Sequence, residues 1–262
     1  MPTLGLGTWE NDDPDACSES VRTALETGYR HVDTAQIYRN EEAVGRGIAA
    51  AAVDREDVFL ATKVWIDKLG AENVIESTEA SLERLGTEYL DLLYVHWPAG
   101  EYDSEGTLSA FEQLYEAGTI KRIGVSNFEP EHLEAAQAAI DAPIFANQVE
   151  IHPLLQQREL RSFCADAGVE LVAYSPLARG DVFEVDTLSE IAETHGVSEA
   201  RVSLAWLRQK GITAIPKATG ADHIRDNWAS LEFELTPAEI ERIDDIDAER
   251  RMVDPDFGPS SW

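Results

Sequence analysis

Gly28-Tyr29-Arg30-His31-Val32-Asp33-Thr34-Ala35-Gln36-Ile37-Tyr38-Arg39-Asn40-Glu41-Glu42 holds the pattern on which the rest of the chain is organised. A short apolar run closes on an aspartate, a tyrosine follows in the next loop, and an acidic, alanine-rich helix begins at once. Side chains alternate across a strand, so His31 and Asp33 share one face. Two later runs are expected to be strands that end in the same manner, Ala61-Thr62-Lys63 and Leu93-Tyr94-Val95-His96. If these strands are parallel neighbours, Asp33, Tyr38, Lys63 and His96 gather at one end of the sheet.

Working outward, short β-branched runs alternate with amphipathic helical stretches. Strands are expected at 4–8, 31–35, 58–64, 90–96, 120–125, 145–151, 170–174 and 213–216. Helices are expected at 15–27, 41–51, 71–85, 108–117, from Pro130, and at 157–166, 187–195, 199–209, 222–229 and 236–246. Gly28, Gly86 and Gly118 stand where helices should stop, while Pro130 and Pro237 stand where helices should start. About eight strand–helix units is the count of a (β/α)8 TIM barrel, so the fold class is α/β and residues 1–262 form a single domain. An open doubly wound sheet would carry a glycine-rich phosphate loop after its first strand, and the sequence has none there. The tail, about 247–262, contains Pro and Gly and is expected to lie over the barrel mouth. With the short loop 99–106, it suggests an open pocket.

The chain has 262 residues, 44% of them hydrophobic, enough for one large core. No apolar run reaches the length that crosses a bilayer, and no basic-then-apolar leader opens the sequence. Cys17 and Cys164 are too few for a disulfide framework or a zinc motif, which points to a reducing, cytoplasmic setting. Fifty acidic residues face 21 basic ones, a net charge of −29, and only five of the bases are lysine. Such a charge repels itself unless counter-ions screen it, so the sequence reads as a halophilic, acidic protein of a salt-rich cytosol. Nucleic acid and anionic membranes are excluded as partners on the same ground.

The four gathered residues make a working acid. A tyrosine has an ordinary pKa near ~10, and lowering it by about three units takes roughly 4 kcal/mol of preference for the phenolate. An ammonium such as Lys63 supplies that preference, Asp33 holds the ammonium charged, and His96 donates to a substrate oxygen. An acid of this kind is needed when a hydride reaches a carbonyl carbon and the oxygen must be protonated. Other polar residues stand at nearly every strand end: Ser126-Asn127, Asn147-Gln148 with Glu150, Tyr174-Ser175 and Lys217. His31 reads as a satisfied structural histidine, and His132, His152 and His195 as loop or surface residues.

Taken together, Gly28 to Ala35 with Tyr38 and Gly45, Thr62-Lys63-Val64-Trp65, Leu93-Tyr94-Val95-His96-Trp97-Pro98, Gly124-Val125-Ser126-Asn127-Phe128 and Ile215-Pro216-Lys217 resemble the signatures of the aldo-keto reductases, in order and spacing. The similarity is to the short prokaryotic type, like the 2,5-diketogluconic acid reductases. It implies a monomeric enzyme that moves hydride from NADPH to a small-molecule aldehyde or ketone, and back from the alcohol. By the same resemblance Tyr38 is the proton donor, Lys63 and Asp33 tune it, and His96 orients the carbonyl. Ser126, Asn127 and Gln148 would hold the nicotinamide carboxamide, and Tyr174 would stack on the ring. Ser175, Leu177, Arg179 and Gly180 would follow the pyrophosphate, and Lys217, Thr219, His223, Asp226 and Asn227 would surround the adenosine. Trp9, Trp65, Trp97 and Phe128 would wall the substrate pocket.

The sequence departs from that pattern where arginines would grip the 2′-phosphate of NADPH. Those places hold Gly220 and His223 beside Asp222, and Ala218 follows Lys217 where the family carries Ser or Thr. Bidentate guanidinium contacts are not replaced by other residues without cost, so NADH is expected to serve as well as NADPH. Two other readings stay open. One is a metal-dependent barrel hydrolase using His31, Asp33, Lys63 and His96 as ligands, with no metal called for by the aldo-keto pattern; against it, the last strand ends in Lys217 rather than an acidic residue and Tyr38 would be idle. The other is a non-catalytic nicotinamide-binding sensor subunit on the same fold.

Overall fold

Eight parallel strands close into a barrel in a computed structural model that describes residues 1–259. In chain order the strands are β1 (Leu6–Gly7), β2 (His31–Asp33), β3 (Phe59–Val64), β4 (Leu92–Val95), β5 (Ile123–Ser126), β6 (Ile144–Glu150), β7 (Glu170–Tyr174) and β8 (Thr213–Ala214). Each pairs with the next, and parallel bridges Leu4–Ala214 and Gly7–Lys217 join the last strand to the first. The helices are α1 (Pro14–Thr27), α2 (Glu41–Ala50), α3 (Ala71–Leu85), α4 (Ser104–Glu116), α5 (Pro130–Ala139), α6 (Arg158–Ala167), α7 (Asp186–His195), α8 (Glu199–Gln209), α9 (Ala221–Ala229) and α10 (Pro237–Asp244). They form the outer ring of one domain.

Local chemistry sets the helix ends. Asp13 caps α1 by accepting from the Asp15 and Ala16 amides at 3.1 and 2.7 Å, and Pro14 fills the first helical position. Such a cap contributes about 1 kcal/mol. Thr236 and Glu239 form a reciprocal capping box at α10. Helix α4 starts four residues earlier than the apolar period predicts, because the polar turn Ser104 to Thr107 carries no such period and is held instead by Asp103. Strands β1 and β8 are shorter than expected; Pro216 has no N–H for the ladder, and the seam is held by the Gly5 amide donating to the Ala214 carbonyl at 2.8 Å, the Ala214 amide to the Thr3 carbonyl at 3.0 Å and the Gly7 amide to the Pro216 carbonyl at 3.1 Å.

Two buried layers result. Between sheet and helices lies the larger core, which includes Val21, Leu25, Val74, Phe111, Leu133 and Trp206. Inside the barrel sit Phe59, Ala61, Leu92, Tyr94, Ala146, Val172 and Ile215. Tyr94 fills space that β5 leaves open, since a Cβ on Gly124 would lie 2.5 Å from its ring. Gly45 lets α2 approach α3, where a Cβ would lie 2.5 Å from the Leu85 carbonyl oxygen. This filled interior directs the strand-end side chains to one mouth.

Two histidine expectations change, those for His31 and His152. His31 is buried edge-on against Phe59, yet neither ring nitrogen has a hydrogen-bond partner among the described residues. Burial first, with Lys63 adding to it, lowers its pKa to about 3, so the ring stays neutral. His152 is fully buried against Glu150 at 2.8 Å rather than lying at the surface. His132 accepts from the Glu129 amide at the start of α5, and His195 pairs with Glu239 at 2.6 Å.

Candidate active site

At the C-terminal end of the barrel a cavity of about 550 Å³ opens between β1, β2, the 3-10 turn Gln36–Tyr38 and the C-terminal tail. Strand ends bring three of the expected four to it, and the 3-10 turn brings Tyr38. Asp33 ends β2, Lys63 is the penultimate residue of β3, and His96 follows β4. Lys63 is almost wholly buried and ion-paired with Asp33 Oδ1, and its Nζ donates to the Thr34 carbonyl at 2.8 Å. The same ammonium lies 3.5 Å from Tyr38 Oη. The other Asp33 oxygen accepts from Gln148 Nε2 at 2.7 Å, so both oxygens are engaged. His96 stands edge-on to Tyr38, ring centroids 5.8 Å apart, and edge-on to Trp65 at 5.0 Å.

Burial is the largest influence on the electrostatics of Lys63, His96 and Tyr38. Burial works against the Lys63 charge, but Asp33 and Tyr38 outweigh it and hold the ammonium pKa above its ordinary value. Burial drives His96 well below the usual imidazole range, with Lys63 adding to the effect, so His96 is neutral. For Tyr38, desolvation is the largest influence and raises the phenol pKa, while Lys63 pulls the other way without prevailing. The phenol is therefore held protonated rather than tuned to near neutrality. The ring itself stays half-exposed to the cavity.

Of the residues expected to hold a cofactor, Ser126, Asn127, Gln148, Tyr174, Ser175, Leu177, Arg179, Gly180 and Lys217 line the cavity. They brace each other. Tyr174 Oη donates to Asn127 Oδ1 at 2.9 Å, Asn127 Nδ2 donates to the His96 carbonyl at 3.0 Å, and Ser126 Oγ donates to the Gln148 carbonyl at 2.7 Å. Asn127 adopts the left-handed backbone region at φ 63°, which Asn tolerates better than most residues. The loop after β7 turns sharply through left-handed Ser175, Ala178, Arg179 and Gly180. Arg179 and Lys217 bring positive charge to the cavity wall, with the Arg179 guanidinium 4.5 Å from the Trp9 ring centroid. A braced amide cluster, an aromatic face and two cations along one elongated wall suit a nicotinamide dinucleotide.

Thr219, His223, Asp226 and Asn227 lie beyond β8, in the loop before α9 and on that helix, outside the cavity lining. Asp226 is engaged by Ser198 and by Arg201 at 2.7 Å, and Asn227 is buried. Trp9, Trp65 and Trp97 line the cavity as expected. Phe128 does not: it is fully buried on the outer side of β5, edge-on to Tyr102 and His132. Asn147 likewise turns outward and bonds the Phe128 backbone, because it alternates with Gln148. Val253, Pro255 and Phe257 complete the mouth, and Phe257 stacks edge-on against Trp65 and Trp97. An aromatic residue set among Pro and Gly in the tail was the available sequence signal for Phe257. The hydrolase ligand set does not converge: Asp33 is consumed by Lys63 and Gln148, and His31 faces Phe59.

Comparison with known proteins adds to this geometry. A family model described as the Aldo/keto reductase family matches residues 3–248. A Trypanosoma cruzi protein named 9,11-endoperoxide prostaglandin H2 reductase is 44% identical over 260 residues, covering 98% of this chain and 92% of that one. Glyoxal reductase of Bacillus subtilis is 42% identical over 252 residues, covering 96% and 91%. The crystal structure of an aldo-keto reductase from a Medee basin deep-sea metagenome library aligns with a TM-score of 0.94 at 36% identity, covering 100% of this chain and 97% of that one.

Proposed function

Since the chain belongs to the aldo/keto reductase family, whose members reduce carbonyl compounds with a nicotinamide cofactor, we propose that Tyr38 is its proton donor. One observation carries this assignment: the buried Asp33–Lys63 pair sets its ammonium 3.5 Å from Tyr38 Oη at the floor of the cavity. Ser126, Asn127, Gln148 and Tyr174 would hold a nicotinamide, which when bound would supply the hydride for the carbonyl carbon. Tyr38 gives its phenolic proton to the carbonyl oxygen, and Lys63 stabilises the phenolate that remains. Asp33, with Gln148 and the Thr34 carbonyl, fixes the ammonium so that little reorganisation is needed as charge develops. Neutral His96 offers an N–H to the same oxygen and sets the angle of the carbonyl. Trp9, Trp65 and Trp97 keep the reacting carbon out of bulk water, which strengthens every charge interaction beneath them.

The aromatic walls favour apolar and aromatic aldehydes, and glyoxal is the compound in the name of the Bacillus subtilis relative. We further propose dual cofactor use. Gly220 and His223 occupy the expected arginine positions, and exposed Arg225 pairs with Asp222 at 3.6 Å, leaving Lys217 and Arg179 as the cations on the cavity wall. Steady-state kinetics with glyoxal, methylglyoxal and an aromatic aldehyde, each with NADPH and NADH in molar KCl, test both proposals. Turnover with kcat/KM values within about tenfold of each other is expected for the two cofactors. A hundredfold NADPH preference would overturn dual use, and no carbonyl turnover would overturn the catalytic assignment. His223→Arg should shift the ratio toward NADPH by about tenfold.

A further inference from the structure

Glu150 ends β6 and is fully buried, yet it does not line the cavity. Its carboxylate is turned toward the C-terminal tail. Oε1 accepts from the Met252 amide at 2.6 Å, Oε2 accepts from the Val253 amide at 2.9 Å, and His152 Nε2 lies 2.8 Å from Oε1. Burying a carboxylate costs several kcal/mol unless donors replace its water, and here two consecutive backbone amides of the tail are among those donors. We propose that Glu150 is a positioning residue for substrate selection, acting through the tail to set Phe257 against Trp65 and Trp97.

The rest of the tail explains why such an anchor matters. After residue 248 the described chain has no helix or strand of its own. Its start is fixed by the Arg250 amide donating to the Leu154 carbonyl at 2.8 Å and by an exposed pair between Arg250 and Asp181 at 2.6 Å. An exposed pair of that kind holds little. Beyond Val253, Pro255 and Phe257 reach the cavity, and the Phe257 ring, 40% exposed, rests edge-on at 5.4 Å from Trp97 and 5.9 Å from Trp65. The barrel core thus governs the aromatic wall through two backbone hydrogen bonds placed four to five residues before the ring. Proton transfer is untouched, since Glu150 contacts none of Asp33, Tyr38, Lys63 or His96 in the hydrogen-bond network described above.

The proposal rests on the carbonyl-reductase reading, and its test separates the two. Glu150→Gln keeps the shape, removes the charge and leaves one acceptor oxygen. Hydrogen exchange of the 250–259 segment, which needs no turnover, should accelerate at least tenfold in this variant. In kinetics, KM for an aromatic aldehyde should rise about tenfold with kcat for glyoxal and cofactor affinity within twofold of the parent. Phe257→Ala should give the same KM shift, and the double variant should resemble Phe257→Ala alone. Unchanged tail exchange would overturn the anchor. Multiplying KM effects in the double variant, or equal losses for glyoxal and the aromatic aldehyde, would overturn action through Phe257. If Glu150→Gln does not fold, Met252→Pro removes one donor without altering the barrel, and the same outcomes decide. Parent protein with no carbonyl turnover would count against the reductase reading alone, and tail exchange would still judge the anchor.

Discussion

Replacing Lys63 with Met removes a charge while keeping most of the side-chain volume. The ammonium sits 3.5 Å from Tyr38 Oη, and at an effective dielectric of ~20 a unit charge at that distance stabilises a phenolate by about 5 kcal/mol. Without it, the phenol becomes a still weaker acid, since burial already holds its pKa high. If half of the phenolate charge has developed at the transition state, about 2.4 kcal/mol is lost, roughly a fiftyfold fall in kcat. Removal of the cation also strands Asp33 in the interior, which costs on the order of 3–5 kcal/mol of stability unless the carboxyl takes up a proton. Adding Asp33→Asn should therefore recover much of the lost stability and none of the lost rate. The assay is carbonyl reduction at saturating cofactor, with thermal unfolding run alongside. A Lys63→Met protein that folds and keeps kcat within threefold of the parent would refute the electrostatic role assigned to Lys63.

The pH dependence follows from the protonated phenol. Reduction requires Tyr38 to carry its proton; its pKa is held above the ordinary value near ~10, so kcat should stay flat through neutrality and fall only above about pH 10. His96 titrates well below 6.5 and should add no limb between about pH 6 and 8. A basic limb near neutral pH would show that Lys63 prevails over burial after all. Stability should rise with salt, because a net charge of −29 repels itself and the Debye length shrinks to about 3 Å at 1 M. Surface pairs such as Arg22 with Glu19 and Glu26 weaken in the same salt, but exposed pairs of this kind hold little. A melting temperature that climbs by several degrees from 0.1 M to 2 M KCl is expected, and a fall would contradict the halophilic reading.

Much of this architecture could be read from residues that act locally. Helix ends at Asp13-Pro14, Gly86 and Thr236-Pro237 follow from capping chemistry, and period-two alternation placed Asp33, Lys63 and His96 on the same side of the sheet. What the sequence concealed depends on distance and desolvation. Whether a phenol beside an ammonium is lowered or raised is decided by how much water the fold removes, and no spacing reports that. Phe128 follows a strand end just as Trp65 and Trp97 do, but the side of the barrel to which the chain turns after β5 puts it in the outer core. His152 has no neighbour of obvious purpose in sequence beyond Glu150 two residues earlier, and the meaning of that pair depends on a tail about 100 residues further on. The start of the polar-turned helix α4 and the ends of the short strands β1 and β8 were missed for a related reason, since cap and bridge geometry outweigh hydrophobic period there.

Tyr38→Phe is the most direct test of the catalytic account, because it removes one oxygen and leaves Lys63, Asp33 and the cavity walls in place. Reduced-cofactor oxidation should be followed with glyoxal or methylglyoxal, and cofactor affinity measured in parallel by fluorescence quenching. The kcat should fall at least a hundredfold, with cofactor affinity within twofold of the parent. A Tyr38→Phe variant that binds cofactor and still reduces the carbonyl within tenfold of the parent rate would contradict this assignment, and the proton would have to come from another group.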